Sequence, residues 1–246
     1  MAKHKRRLSR SEKRRMEREM EHMVGILNQK FTMRQISPLT PSQSNLFDSY
    51  QQGYNLAAIG TAGTGKTMCA MYLALSDVLQ RGEYEKVVVI RSAVQTREQG
   101  FMPGNKAQKE AVFEQPYTDI TNDLFDRGDA YQILKSKGMM QFMSSSFVRG
   151  LTFDNSIILV DECQSMTYHE LDSIITRVGE SSKIIFCGDA RQSDLVKSNE
   201  RTGIIDFMKI VQSMQDDFTM IEFGIEDIVR SGLVKNYLIA KLNLGF

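Results

Sequence analysis

The sequence predicts an α/β fold with a mainly parallel sheet and helices on both faces. Two observations carry that reading. Short, almost uninterrupted apolar runs alternate with segments of helical periodicity from residue 55 to residue 223. Strands that are apolar at nearly every position belong to sheets covered on both sides. The second observation is the glycine-rich stretch GTAGTGKT at 60–67, which stands between the first such run and the first such helix.

Each element follows in order. ISPLTPSQ breaks the preceding pattern as a linker. Thr40 can cap a short helix, Pro41 suits its first position, and Gln43 completes a capping box. NLAAI (55–59) reads as a strand and KTMCAMYLALSDVL (66–79) as a helix ended near Gly82. KVVVIRS (86–92) is a second strand. Residues 93–150, with Pro103, Gly104 and Pro116, are assigned two helices. SIILVDE (156–162) is a buried strand, and YHELDSIITRVG (168–179) is a helix with Gly179 past its end. SKIIFCGD (182–189) and FTMIEF (218–223) are the last strands.

The composition excludes some classes. No apolar run approaches the roughly 20 residues of a membrane span, and the charged start has no apolar stretch behind it, so neither a membrane helix nor a secretory signal is expected. Cys69, Cys163 and Cys187 are widely separated, with neither metal-ligand spacing nor a disulfide framework, which fits a reducing cytoplasm. The net charge of +1 hides an asymmetry: residues 1–18 hold nine Lys and Arg against two Glu, while the rest holds 22 basic and 28 acidic residues. Met16, Met20, Met23, Val24 and Leu27 recur at helical spacing behind this basic start. The expected division is a basic, helical arm over 1–36 and one α/β domain over 37–246. Such an arm is either a solvated tail or a contact for a polyanion.

The chemistry gathers on three segments. GTAGTGKT fits the phosphate-loop pattern in its strand–loop–helix context. Gly60, Thr61, Ala62, Gly63, Thr64 and Gly65 form the wrap. The helix N-terminus, through Lys66, Thr67 and Met68, presents N–H groups to an anion. Lys66 can reach the β- and γ-phosphates of ATP, and Thr67 can bind Mg2+. The apolar run 157–160 ends in Asp161 and Glu162, two acids that need a charge partner if buried. A parallel sheet brings them to the edge that holds the loop. Asp161 can then hold Mg2+ through water, and Glu162 can orient or deprotonate the attacking water, although sequence leaves the two roles exchangeable. CGDARQSD delivers Asp189 and Gln192 to the same edge. Gln192 can bond the γ-phosphate or the water, and Asp189 can alternatively cap a turn.

GTAGTGKT, VIRSAV, GFMPG, RGLTFDNSIILVDECQ, TRVGESSKIIFCGDARQSDL and IVRSGLV occur in the order seen in PhoH-like proteins. The resemblance runs from about Gln43 to about Tyr237. Departures are Ser92, Cys163 and Ser165, where members often carry Pro, Ala and Asn, and a longer spacing from GFMPG to EQPY. The resemblance implies a single RecA-like P-loop ATPase domain related to the first half of superfamily 1 helicases, in a family frequent in bacteriophage genomes. It implies hydrolysis of ATP with Mg2+, action on single-stranded nucleic acid, RNA before DNA, and assembly into a homohexameric ring. The expected location is the cytoplasm, that of the host if phage-encoded. It places Gln43 where related helicases read the adenine edge. Arg230 matches the family's late arginine, a candidate finger for a neighbouring subunit's ATP, or else a cation near a helix end. Arg91, Arg149 and Arg177 are candidates for phosphate or nucleic-acid contact, or else surface ion pairs. The rival function is a nucleotide-regulated binding switch with slow, incidental turnover.

Overall fold

The computed structural model describes residues 31–92, 106–189 and 203–244. The fold is set out for the unit Gln35–Phe246. Helix α1 (Pro41–Gln51) leads into strand β1 (Asn55–Gly60), helix α2 (Lys66–Ser76) and strand β2 (Lys86–Arg91). Helices α3 (Lys106–Phe125) and α4 (Ala130–Ser136) precede strand β3 (Met140–Ser144). Strand β4 (Ser156–Asp161), helix α5 (Tyr168–Ile175) and strand β5 (Lys183–Gly188) follow. Helix α6 (Gly203–Ser213), strand β6 (Phe218–Phe223) and helix α7 (Gly232–Asn243) complete the described chain.

The six strands form one sheet in the order β3-β2-β4-β5-β1-β6, and every pairing is parallel. All C-terminal strand ends therefore open on one edge. Successive side chains alternate faces. Ala57, Val88, Ile90, Ile158, Val160 and Phe186 pack in one core with Leu171 and Ile174 of α5 and Phe207 and Val211 of α6. The intervening Leu56, Val87, Val89, Ile157, Leu159 and Ile185 are equally buried on the other face, where α1 to α4 contact the strands. Two covered faces explain why the inner strands β1, β2, β4 and β5 read as nearly unbroken apolar runs.

Local sequence sets the helix ends. Thr40 accepts the Gln43 N–H at 3.3 Å, with Pro41 in the first turn of α1. The expected capping box is displaced by one residue: Gln43 Oε1 takes the Leu39 N–H at 2.8 Å. Helix α2 passes into a five-residue π turn, Asp77–Arg81, closed by left-handed Gly82. Helix α5 carries a complete Thr167–Glu170 capping box but stops at Ile175, short of the expected end just before Gly179. Gly179 serves a different purpose there. Its N–H bonds the Phe153 carbonyl at 2.8 Å, and an added Cβ would collide with Asp154. Strand β3 is absent from the sequence reading of 93–150, while the two helices expected in that stretch are present.

No helix of the described residues is long and apolar enough to cross a membrane. The three cysteines are free and buried. Burial pushes the Cys69 thiol up to about 12, so it is not a ready nucleophile.

Candidate phosphate and acid site

The loop between β1 and α2 is shaped by close approaches. Gly60 (φ 142°) leaves no room for a side chain, since a Cβ would collide with the Phe223 carbonyl. The Thr61 N–H donates to that same carbonyl at 2.9 Å. Gly63 and Gly65 take left-handed backbone at φ 78° and 81°, which glycine adopts without strain. Ala62 precedes Gly63 in the turn. The first bond of α2, Cys69 N–H to Gly65 carbonyl at 2.9 Å, leaves the N–H groups of Lys66, Thr67 and Met68 to a ligand.

Lys66 Nζ donates to the Gly60 carbonyl at 2.8 Å, to the Thr61 carbonyl at 2.7 Å and to Thr64 Oγ1 at 3.2 Å. Thr64 Oγ1 in turn donates to the Thr61 carbonyl at 2.9 Å. Burial pulls the lysine below its ordinary pKa, against the nearby acids Asp189, Asp161 and Glu162. Gln43, 3% exposed, donates from Nε2 to the Thr64 carbonyl at 2.9 Å. Its amide thus joins the start of α1 to the loop.

The acids arrive from β4, separated from β1 by β5. Thr67 Oγ1 donates to Asp161 Oδ1 at 2.9 Å, and the Tyr117 hydroxyl donates to Oδ2 at 2.9 Å. Burial and neighbouring Glu162 raise the Asp161 pKa, while these two hydrogen bonds and Arg91 oppose the rise. The Thr67 and Asp161 oxygens suit a hard cation such as Mg2+, which takes oxygen ligands and keeps part of its shell as water and phosphate. Among the described residues no group of three or more His, Cys, Asp or Glu forms a metal cluster.

Glu162 stands one residue beyond β4 in left-handed backbone, φ 52° and ψ 41°. A non-glycine residue there costs about 1 kcal/mol or more. Gln164 Nε2 donates to Glu162 Oε2 at 2.5 Å, and Gln164 Oε1 accepts the Asp189 N–H at 3.0 Å. Asp189 follows β5 on the loop's edge of the sheet. Gln192 lies outside the described residues.

Of the arginines, Arg230 lies against the loop of its own chain: a Cβ on Gly63 would stand 3.0 Å from its Cγ. The Val229 N–H bonds the Gly63 carbonyl at 3.1 Å, drawing the turn after β6 over the loop. Arg91 ends β2 in register with Asp161, and its guanidinium covers the Phe113 ring at 5.9 Å. Arg149 is exposed in the turn beyond edge strand β3. Arg177 is not brought to the site. It follows α5, where its carbonyl accepts the Phe153 N–H at 2.9 Å on the N-terminal side of β4.

Three residues at the site were not read from sequence: Tyr117, Gln164 and Asp227. Asp227 is fully buried, and its Oδ2 accepts the Gly224 N–H at 2.9 Å. Burial would raise its carboxyl, but donors from Thr40, Gly224 and Ser42 outweigh that and hold it below its ordinary value. The advance signals were the DECQ stretch for Gln164 and the EQPY stretch for Tyr117, neither of which gave the residue a role; Asp227 had none.

A loop of this shape after the first strand, facing an acid across one intervening strand, defines a P-loop nucleotide-binding domain. The chain belongs to the PhoH-like protein family, whose model matches residues 35–241. It is 31% identical over 206 residues to a PhoH-like protein of Mycobacterium leprae, covering 83% of this chain and 58% of that one. Protein PhoH of Escherichia coli is 28% identical over 246 residues, covering 96% and 68%. The chain spans about six-tenths of the length of the mycobacterial relatives. Among solved structures, the large terminase of a thermophilic bacteriophage in complex with ADP superposes with a TM-score of 0.49 at 12% identity, over 81% of this chain and 49% of that one. Pif1 helicase of Candida albicans gives 0.38 at 14% identity, over 77% and 40%.

Proposed function

We propose that this protein hydrolyses ATP with Mg2+ and couples the reaction to single-stranded nucleic acid, RNA before DNA, as a homo-oligomeric ring. The observation that supports the ATPase reading best is the Thr67–Asp161 hydrogen bond at 2.9 Å. It joins the hydroxyl and the acid suited to one cation, beside a lysine positioned for phosphate. Thr67 and Asp161 would hold Mg2+, which neutralises phosphate charge when bound. The loop N–H groups bind the phosphates, and Lys66 exchanges its carbonyl partners for the β- and γ-phosphate oxygens.

Glu162 accepts a proton from the attacking water. The water oxygen bonds to the γ-phosphorus as the bond to the β–γ bridging oxygen breaks, releasing ADP and phosphate. Arg230, beside Gly63 of its own loop, is assigned to the phosphates of its own chain's ATP in place of a neighbour's. The basic start of the chain supplies the polyanion contact, with nine Lys and Arg among residues 1–18.

Glu162→Gln keeps the side-chain shape and removes the base. It should retain ATP binding and lose turnover by at least about a hundredfold, whereas Lys66→Ala should lose both. A Glu162→Gln protein that turns over at the wild-type rate would reject the assignment. Stimulation by single-stranded RNA supports the coupled reading, and slow turnover indifferent to RNA or DNA supports a nucleotide-operated switch.

A further inference from the structure

We propose that Gln164 is a positioning residue that fixes the Glu162 carboxylate and ties it to the end of β5. The inference rests on the reading of Glu162 as the base.

The β4–β5 ladder pairs Val160 with Phe186 as its last register. Beyond it the chains diverge, because β4 turns through left-handed Glu162 into a single helical turn, Cys163–Ser165. The Asp189 N–H therefore has no strand carbonyl opposite it. Gln164 takes that place with a side chain, accepting the N–H at 3.0 Å while donating to Glu162 Oε2 at 2.5 Å.

A side-chain amide meets both demands, since it offers an acceptor and a donor on one planar group. A glutamate would set a second carboxylate against Glu162, an asparagine is one methylene shorter, and an apolar residue of similar length makes neither bond. Gln164 is 4% exposed, so its two bonds form away from competing water, where such bonds carry most weight. Gly188 makes the room: a Cβ there would stand 2.6 Å from Gln164 Oε1 and 2.5 Å from Cys163 Sγ. This gives the glycine of the GD pair a steric purpose.

The strained backbone at Glu162 explains why a clamp is needed. Left-handed geometry aims the side chain along one direction but leaves its terminal torsion soft. Holding Oε2 fixes the carboxylate plane and leaves Oε1 for the water. Because the same amide holds Asp189, a displacement at the end of β5 changes the aim of the base.

The test uses the full chain. Gln164→Met preserves length and removes both bonds. ATP affinity, read with a fluorescent analogue, should stay near wild type, and the melting temperature should fall by about a few degrees, with the protein still folded at the assay temperature. Turnover should fall about ten- to a hundredfold with KM unchanged. The decisive measurement is the same substitution in Glu162→Gln protein, followed by single-turnover cleavage of radiolabelled ATP at excess enzyme. A residue that acts through Glu162 adds no further loss there. An equal fold-loss in both backgrounds, or wild-type turnover by Gln164→Met alone, overturns the proposal. If the methionine variant does not fold, Gln164→Asn goes through the same cycle with the same expectations. Failure of the base assignment is visible separately, in Glu162→Gln alone before Gln164 is changed.

Discussion

The Tyr117 hydroxyl donates to Asp161 Oδ2 at 2.9 Å, while Thr67 holds Oδ1 from the other side at 2.9 Å. One buried carboxylate is thus fixed by α3 and by the phosphate loop together. Tyr117 is fully buried, its ring 5.7 Å from that of Phe142, so Phe fits the space it leaves. Hydrogen bonds to charged groups contribute about 1.5–3 kcal/mol. Tyr117→Phe should therefore fold normally and raise the Mg2+ midpoint for nucleotide binding by about tenfold or more. Titration of Mg2+ against a fluorescent ATP analogue checks this. An unchanged midpoint would leave Tyr117 with packing alone.

Gln43 separates two roles by experiment. Its amide holds the Thr64 carbonyl at 2.9 Å and the Leu39 N–H at 2.8 Å, which anchors the loop. The family resemblance adds adenine contact. Gln43→Ala removes both bonds, and one net hydrogen bond of about 1 kcal/mol predicts roughly a fivefold rise in KM for ATP. If the residue only anchors the loop, the KM for GTP rises by the same factor. If it also reads adenine, the preference for ATP over GTP falls. The ratio of kcat/KM for the two nucleotides decides between them.

How much of this was legible from sequence depended on the range of each interaction. The loop and the acids were readable because each sits at a strand end with its own local pattern. Five of the six strands carried that pattern as well. Strand β3 did not: it is an edge strand whose Gln141 is exposed and Phe142 only half-buried, so it lacks a continuous apolar run. Tyr117 meets Asp161 across 44 positions, and nothing near either residue announces the pair. Gly179 has the sequence context of a helix stop, yet α5 ends at Ile175, and close approach of Phe153 and Asp154 is what requires glycine at 179. Arg230 was identified by motif, but the direction it faces depends on how the turn after β6 crosses Gly63.

Asp227 offers a test by pH. Its pKa is held below its ordinary value by the Thr40, Gly224 and Ser42 donors. A depressed acid contributes stability above its unfolded pKa of about 3.9 and loses it as pH falls through the lower folded value. Asp227→Asn should cost about 1–3 kcal/mol at pH 7. The difference from wild type should persist down to about pH 4 and shrink below it. Urea unfolding of both proteins at pH 7, 4.5 and 3 measures it. A gap that stays constant to pH 3 would mean that packing, not charge, is what Asp227 provides.

Arg230 carries the last prediction. Its Cγ would lie 3.0 Å from a Cβ on Gly63, and Leu238 of α7 would lie 3.3 Å from the same point. The exposed Arg230 side chain therefore lies beside the tip of its own phosphate loop. A cation at the γ-phosphate is worth about a thousandfold or more in rate, so Arg230→Ala should bind ATP and hydrolyse it poorly. Mixing this variant with Lys66→Ala protein separates the two directions of reach. An arginine serving a neighbour's ATP would restore part of the activity, because some interfaces then pair an intact loop with an intact arginine. An arginine serving its own chain restores none, since every subunit lacks one of the two groups. The geometry predicts no recovery at any mixing ratio, provided mass measurement shows that the two proteins exchange into mixed assemblies. Recovery that grows with the fraction of mixed interfaces would move Arg230 to the neighbour's site.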